Sequence, residues 1–223
     1  MPPIAPESKT LILRGDNRAV YEEETIKTVL DSSFLCHVSF TIKHEARIIP
    51  TAYVRIDDAI YLHGHLKNQM MNALLDGQTT SICVTLLDGL VLARSGFKHS
   101  VNYRSVTLFG KAEEVTGAEK EKVLDAFVDY IVPGRASHLR KTTTQEFNAT
   151  LVLRIRINEA SAKIRTGPPL DKEPDYDTDI WAGVVNLETR ISDIENCPRL
   201  KEGIGIPEHI SEYLLNNNYQ NDL

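Results

Sequence analysis

Between Lys98 and Ser105 the chain sets a guanidinium, a primary amide, a phenol, an imidazole and two hydroxyls close together, in the order Lys98-His99-Ser100-Val101-Asn102-Tyr103-Arg104-Ser105. Such a group suits a polar, anionic ligand, because a guanidinium flanked by hydroxyls gives charge-assisted hydrogen bonds in fixed directions. A second cluster, His63-Gly64-His65-Leu66-Lys67-Asn68-Gln69, joins a glycine and a lysine at a point where a strand gives way to a helix. Exposed N–H groups, the positive helix end and an ammonium converge at such a turn, which makes it an anion site. It is not a P-loop, since the G-x-x-x-x-G-K-[ST] spacing is absent. His63 and His65 also invite a metal reading, with His99 or Cys83 to complete it. No acidic or thiolate ligand stands at a suitable short spacing, so no metal site is expected here. There is no G-x-S-x-G, no H-E-x-x-H and no isolated carboxylate pair, and no catalytic residue is assigned.

These clusters need a frame to hold them, and the frame reads as β. Val101, Tyr103, Ser105, Thr107 and Phe109 alternate with Asn102, Arg104, Val106, Leu108 and Gly110. A period of two over that length is a long antiparallel strand. Upstream, Asp88-Gly89 reads as a turn into the apolar run Leu90 to Ala93. Cys36, Val38, Phe40 and Ile42, then Ile48, Pro50, Ala52, Val54 and Ile56, then Ala59 to His63 give three strands joined by short polar turns. That is a meander. Pro50 within it belongs at an edge or a bulge, because proline donates no ladder hydrogen bond. Ile82, Val84 and Leu86 supply another strand, and Leu151, Leu153, Ile155 and Ile157 a final one.

Helices punctuate the strands. Tyr21 to Asp31 is amphipathic through Ile26, Val29 and Leu30, with glutamates at its start. Met70, Met71, Leu74 and Leu75 form the inner face of a second helix, which Asp76-Gly77 ends. Thr116-Gly117-Ala118-Glu119 reads as a capping box for a third, packed through Val123, Leu124, Phe127, Val128 and Ile131 and stopped by Pro133-Gly134. A short helical turn is expected around Glu146. From Asn158 onward regularity falls away, into an acidic loop and Trp181, the single tryptophan. Ile210, Tyr213 and Leu214 offer a last helix over residues 206–215. Residues 1–17 are expected as a flexible arm, 18–187 as one β domain and 188–223 as an extension.

Several of these segments resemble one family. FKHSVNYRSV followed by F-G-K-A, with IPTAYVR (49–55), YLHG (61–64), KIRTGPP (163–169) and WAGVVNL (181–187), is similar to the pyridoxamine 5'-phosphate oxidase-related, FMN-binding split-barrel family, which includes nitroimidazole-resistance reductases. The resemblance implies a mainly β fold with peripheral helices, a six-stranded antiparallel split β-barrel that binds FMN. It places the flavin along Pro50, Thr51, Ala52 and Tyr53. It places the phosphate at the turn of His63, Gly64, Lys67, Asn68 and Gln69, where a serine–arginine pair is usual and Asn68-Gln69 stands here. Asn102, Tyr103, Arg104, Ser105 and Trp181 complete the implied cofactor set. A homodimer with FMN between the subunits follows from the same resemblance. So does an FMN-dependent oxidoreductase activity on a small molecule. A flavin-binding protein without turnover and a haem-handling split barrel, with His63, His65 or His99 as axial ligand, are the alternatives.

Composition narrows the classes further. At 223 residues, with 42% hydrophobic and 25% charged residues, the chain is an ordinary globular sequence. A net charge of −6 argues against nucleic-acid binding, which calls for a basic surplus. No apolar run approaches the roughly 18 residues of a membrane span. The start, MPPIAPESK, shows no secretory pattern. Cys36, Cys83 and Cys197 are odd in number and widely spaced, which fits free thiols in a reducing compartment. A cytoplasmic location is the expectation.

Overall fold

A computed structural model describes residues 9–219. Two antiparallel sheets carry it. Strands β1 (Ala19–Val20), β2 (Leu35–Ile42), β3 (Glu45–Ala52), β6 (Thr80–Leu92), β7 (Ser100–Gly110), β10 (Glu159–Arg165) and β11 (Gly183–Asn186) build a seven-stranded sheet. Its order is β1-β10-β7-β6-β2-β3, with β11 paired to the far half of β6. Strands β4 (Val54–Ile56), β5 (Ala59–His65), β8 (Ala112–Glu114) and β9 (Thr150–Arg156) make a four-stranded sheet in the order β4-β5-β9-β8. Neither sheet closes on itself, which is the split-barrel form. The strands outnumber the six expected, because β1, β4, β8 and β11 are short additions and β10 was read as irregular chain.

Alternation explains why the sheets face each other. Cys36, Val38 and Phe40 of β2, Ile82 and Val84 of β6, Val106 and Leu108 of β7, and Ala160 and Ala162 of β10 all point inward and are buried. They meet Ile60 and Leu62 of β5 and Leu153 and Ile155 of β9 in one core. Each such aliphatic side chain contributes about 1.5–3 kcal/mol on leaving water. Burial also pushes the Cys36 thiol up to about 12, so it is an inert core thiol. Helix α1 (Glu23–Asp31) inserts Ile26, Val29 and Leu30 into this core, and α2 (Gln69–Leu75) inserts Met70, Met71 and Leu74.

The outer side of the four-stranded sheet is covered separately. Helix α3 (Gly117–Ile131) lays Val123 and Phe127 on Val54, Ala59, Tyr61 and Val152. Its Thr116 holds the N-cap position but makes no side-chain cap bond, so the capping box expected there does not form. The box forms instead at α4 (Thr144–Ala149), where the Thr143 hydroxyl accepts from Glu146 N–H and the Glu146 carboxylate accepts from Thr143 N–H. Helix α5 (Glu208–Tyr219) follows a long irregular stretch. It runs to Tyr219, past the 206–215 expected, and the expected flexible arm falls partly on residues 1–8, outside the described residues.

Two features of the long strand differ from the sequence reading. Asp88-Gly89 is no turn: β6 continues through it with a register shift between Leu87 and Gly89, a β-bulge. The chain reverses later, through Gly96–Lys98. As expected, Pro50 lies on an edge strand, since β3 pairs only with β2 in its sheet.

Candidate functional site

The outer face of the seven-stranded sheet is built by the residues that alternate with the core. Directly opposed pairs run Pro50–His37–Cys83–Thr107–Ser161 across five strands. Opposed residues share a face, so this is one row, a proline followed by an imidazole, a thiol and two hydroxyls. Parallel to it, Leu90 is opposed to both Val101 and Val185. These three are 38%, 39% and 43% exposed, an uncovered apolar strip beside the hairpin of β6 and β7. Phe97 at its tip is 91% exposed. Trp181 is 67% exposed, and its ring lies so close to Gly183 that a Cβ there would meet Cζ2 at 2.9 Å.

The polar residues of the hairpin find partners inside the chain. Arg104 donates from Nε to Asp88 Oδ2 at 3.0 Å and from Nη2 to Asp88 Oδ1 at 2.8 Å. That carboxylate holds the guanidinium above its ordinary pKa. Asn102 is buried, accepts from Arg165 through its Oδ1 and donates to Gly167 O at 3.2 Å. Arg165 also donates to Pro168 O, so these two side chains pin the loop that leaves β10. Ser105 donates to Lys163 O at 3.2 Å. Tyr103 is half-buried on the outer face, opposite Leu87 and Arg165. His99 Nδ1 lies 3.0 Å from Ser95 O. A carbonyl oxygen can only accept, so Nδ1 carries the proton and Nε2 keeps its lone pair.

A second knot was not legible in the sequence. Asp171, read as one residue of an acidic loop, accepts from Arg94 N–H and from Arg94 Nη1, all at 3.2 Å. Its side chain is fully buried, and the Arg94 guanidinium stands 4.9 Å from the Tyr176 ring centroid. No local signal marks such a pair, since the partners are 77 positions apart.

At the other cluster the expected anion site is largely self-satisfied. Asn68 caps α2, its Oδ1 accepting from Met70 N–H at 2.9 Å and Met71 N–H at 3.2 Å. Lys67 N–H donates to His65 Nδ1 at 3.0 Å. The amides of Lys67, Met70 and Met71 are therefore taken. The Gln69 side chain is exposed at the start of the helix. Gly64 is a packing glycine, because a Cβ there would meet Met71 Cγ at 3.0 Å. His63 and His65 share the outer face of β5, as their spacing implies. The His63 ring packs edge-on against Phe127, centroids 4.4 Å apart, and desolvation lowers its pKa. Among the described residues no group of three His, Cys, Asp or Glu could hold a metal ion.

Strand β3 divides the remaining predicted residues. Pro50 is exposed and Thr51 and Ala52 half-exposed, at an open sheet edge. Tyr53 departs from the reading that set it against the flavin. It is 1% exposed, and its hydroxyl donates to Leu30 O, which also accepts from Tyr130 at 3.2 Å. A phenol satisfied by a helix carbonyl in the core has no surface left for a ligand, and burial pushes its pKa up.

Comparison with known proteins gives this arrangement a place. The family model described as pyridoxamine 5'-phosphate oxidase matches residues 22–164. No curated protein sequence matches the chain. Among solved structures, the flavocytochrome Anf3 from Azotobacter vinelandii is 39% identical with a TM-score of 0.90, over 95% of this chain and 99% of that one. An FAD and haem binding protein from Mycobacterium smegmatis is 33% identical with a TM-score of 0.85, over 88% and 97%. A candidate 5-nitroimidazole antibiotic resistance protein from Bacteroides thetaiotaomicron shares the fold at 17% identity and a TM-score of 0.56, over 66% and 86%.

Proposed function

This chain belongs to the pyridoxamine 5'-phosphate oxidase family, and from that premise we propose that it is a redox protein that binds both a flavin nucleotide and haem. The observation that carries the reading is the similarity, over nearly the whole chain, to a flavocytochrome and to an FAD and haem binding protein. When bound, the flavin supplies one- and two-electron chemistry and the haem one-electron chemistry, so the pair can couple a two-electron donor to a one-electron acceptor. The protein's part is placement. The open edge at Pro50, Thr51 and Ala52 offers unpaired backbone groups on the side away from β2. Tyr103 and Trp181 offer aromatic surface, and Lys67 offers an ammonium for phosphate oxygens.

The flavin is FAD in this reading, rather than the FMN that the family resemblance implies. A terminal phosphomonoester needs several donors, and Asn68 and His65 already occupy those of the β5–α2 turn. The exposed strip Leu90, Val101 and Val185 supports a homodimer, since a second copy would cover it by two-fold symmetry. An oxidoreductase activity follows from the two redox groups. An absorption spectrum of purified protein tests the reading, with flavin bands and a Soret band expected together. Chromatography of the heat-released flavin should give FAD; FMN would restore the reading from resemblance. A colourless protein after reconstitution with both groups would end the proposal.

A further inference from the structure

We propose that the outer face of β7 and β10 carries a site for a small phosphate group, roofed by residues 9–12 and separate from the flavin. The inference does not depend on which redox groups the protein holds.

The segment before β1 is expected as a flexible arm, but from Lys9 to Arg14 it is pinned to the sheet. Thr10 is 2% exposed. Ile12 N–H donates to the Tyr21 hydroxyl at 3.0 Å, and Lys163 Nζ donates to Arg14 O at 3.1 Å. Lys9 pairs with Glu159 and lies 5.9 Å from the Phe109 ring centroid. Between this segment and the sheet is a cavity of about 230 Å³, which Ser105 and Thr107 of β7 and Ser161 and Lys163 of β10 line. Lys163 opposes Ser105, and Ser161 opposes Thr107, so the four share one face.

The cavity holds more donors than the protein uses. Ser161 is 6% exposed, and among the described residues neither its hydroxyl nor that of Thr107 has a hydrogen-bond partner. A hydroxyl gives up its water on burial, so an unanswered one is unfavourable until a ligand or an ordered water meets it. Lys163 uses one of the three donors of an ammonium on Arg14 O and makes no ion pair among the described residues. Ser105 donates to Lys163 O and keeps lone pairs for a protonated oxygen. Glu159, two positions before Ser161, is neutralised by Lys9.

A positive, donor-rich cavity selects an anion. Donors that arrive from two strands suit oxygens pointing several ways, which a tetrahedral phosphate offers and a planar carboxylate does not. The volume is below the roughly 300–1,000 Å³ of a drug-sized ligand's pocket and well above the share of about 30 Å³ of one water. Strand β10 is second in the sheet order and β3 last, so the cavity stands apart from the open edge at Pro50.

Isothermal titration of inorganic phosphate into the full chain tests the site, with acetate as the comparison anion. It is run on protein as purified and on the same protein stripped of flavin. Phosphate should bind both forms equally, and acetate neither. Lys163→Gln should lower the affinity at least tenfold, with an unchanged far-UV circular dichroism spectrum to show that it is folded. Thermal melts add a readout that a structural role would not give. Without phosphate, Ser161→Ala should melt no lower than the wild type, because it loses an unpartnered hydroxyl. The rise that phosphate produces in the wild type should shrink in that variant. No heat with the wild type would leave the cavity to water and overturn the proposal. Binding confined to stripped protein would give the cavity to the flavin's own phosphates and overturn a separate site. Equal affinity for acetate would overturn the phosphate assignment. Loss in Lys67→Gln of the stripped protein, with Lys163→Gln unaffected, would move the anion to the β5–α2 turn and overturn it equally.

Discussion

Arg104 grips Asp88 across the β6–β7 pair with two parallel hydrogen bonds, 3.0 and 2.8 Å long, at the bulge where the register shifts. A carboxylate supplied by the chain's own bulge thus satisfies a guanidinium that looked like a ligand for an external anion. Both side chains are about a third exposed, so solvent screens the pair. Replacing Arg104 with Lys keeps the charge and loses the fork. Stability should fall by about 0.5–1 kcal/mol, a few degrees in a thermal melt. Flavin bound per folded molecule should stay the same. A large loss of flavin without a change in melting would return Arg104 to the cofactor.

Gly110 has a different kind of constraint. A Cβ placed on it would lie 2.6 Å from Ile155 Cγ2, and Ile155 is completely buried between the sheets. Gly110→Ala should therefore cost about 1–3 kcal/mol through overpacking. Gly96→Ala, with nothing within 4 Å of its Cβ, should change stability by less than about 0.5 kcal/mol. Chemical denaturation of both variants checks the contrast.

The stack of His209 on His138 makes docking of α5 sensitive to acid. Desolvation, then His138 and Arg135, lower the His209 pKa, and Glu212 alone opposes them. The docked helix therefore binds fewer protons than the free one. Docking is fully favourable above the ordinary histidine pKa of about 6.5 and weakens as pH falls below it. Hydrogen exchange of the 208–216 amides should quicken between pH 7.5 and pH 5 by more than the chemical rate predicts. His209→Phe should remove that difference. Equal protection at both pH values would show that the imidazole stays neutral or is dispensable.

Trp181 is exposed enough that its removal should barely touch the fold, within about 0.5 kcal/mol. If a partner subunit receives it beside the flavin, Trp181→Ala will shift the flavin spectrum and weaken self-association. Sedimentation of wild-type protein at micromolar concentration should give about twice the 25.0 kDa chain mass. A flavin-loaded monomer would remove the interface from the account.

Much of the fold was legible because large aliphatic residues keep strict alternation. Cys36, Val38 and Phe40, or Ile82 and Val84, leave no choice of face. Strand β10 was missed for the opposite reason. Its inward residues, Ala160 and Ala162, are small although fully buried, and alternating alanine with serine carries almost no hydrophobic signal. Thr116 and Thr143 both match the capping pattern, yet only the second uses it; Gly117, which follows Thr116, has a φ of 61°, a left-handed backbone at the start of α3 that spacing does not encode. The site was harder. Types of residue at Asn102, Arg104 and Ser105 announced a need for partners, but not that Gly167, Asp88 and Lys163 would meet it. Those partners arrive through sheet register, over separations of 65, 16 and 58 residues.

The sheet order has a bearing on how the chain is made. Strand β5 pairs directly with β9, and β1 with β10. On a ribosome, β2 and β3 can zip together as soon as Ala52 emerges, and β6 with β7 soon after Gly110. The inward faces of β5, Ile60 and Leu62, have no such early companion beyond the short β4. They wait until Arg156 has been synthesised, and the N-terminal edge waits until Lys163. Roughly a hundred residues of nascent chain therefore carry an unsealed apolar surface. Holding that surface out of reach of neighbouring chains is work for cellular chaperones, and yield in a heterologous host should rise with slower translation.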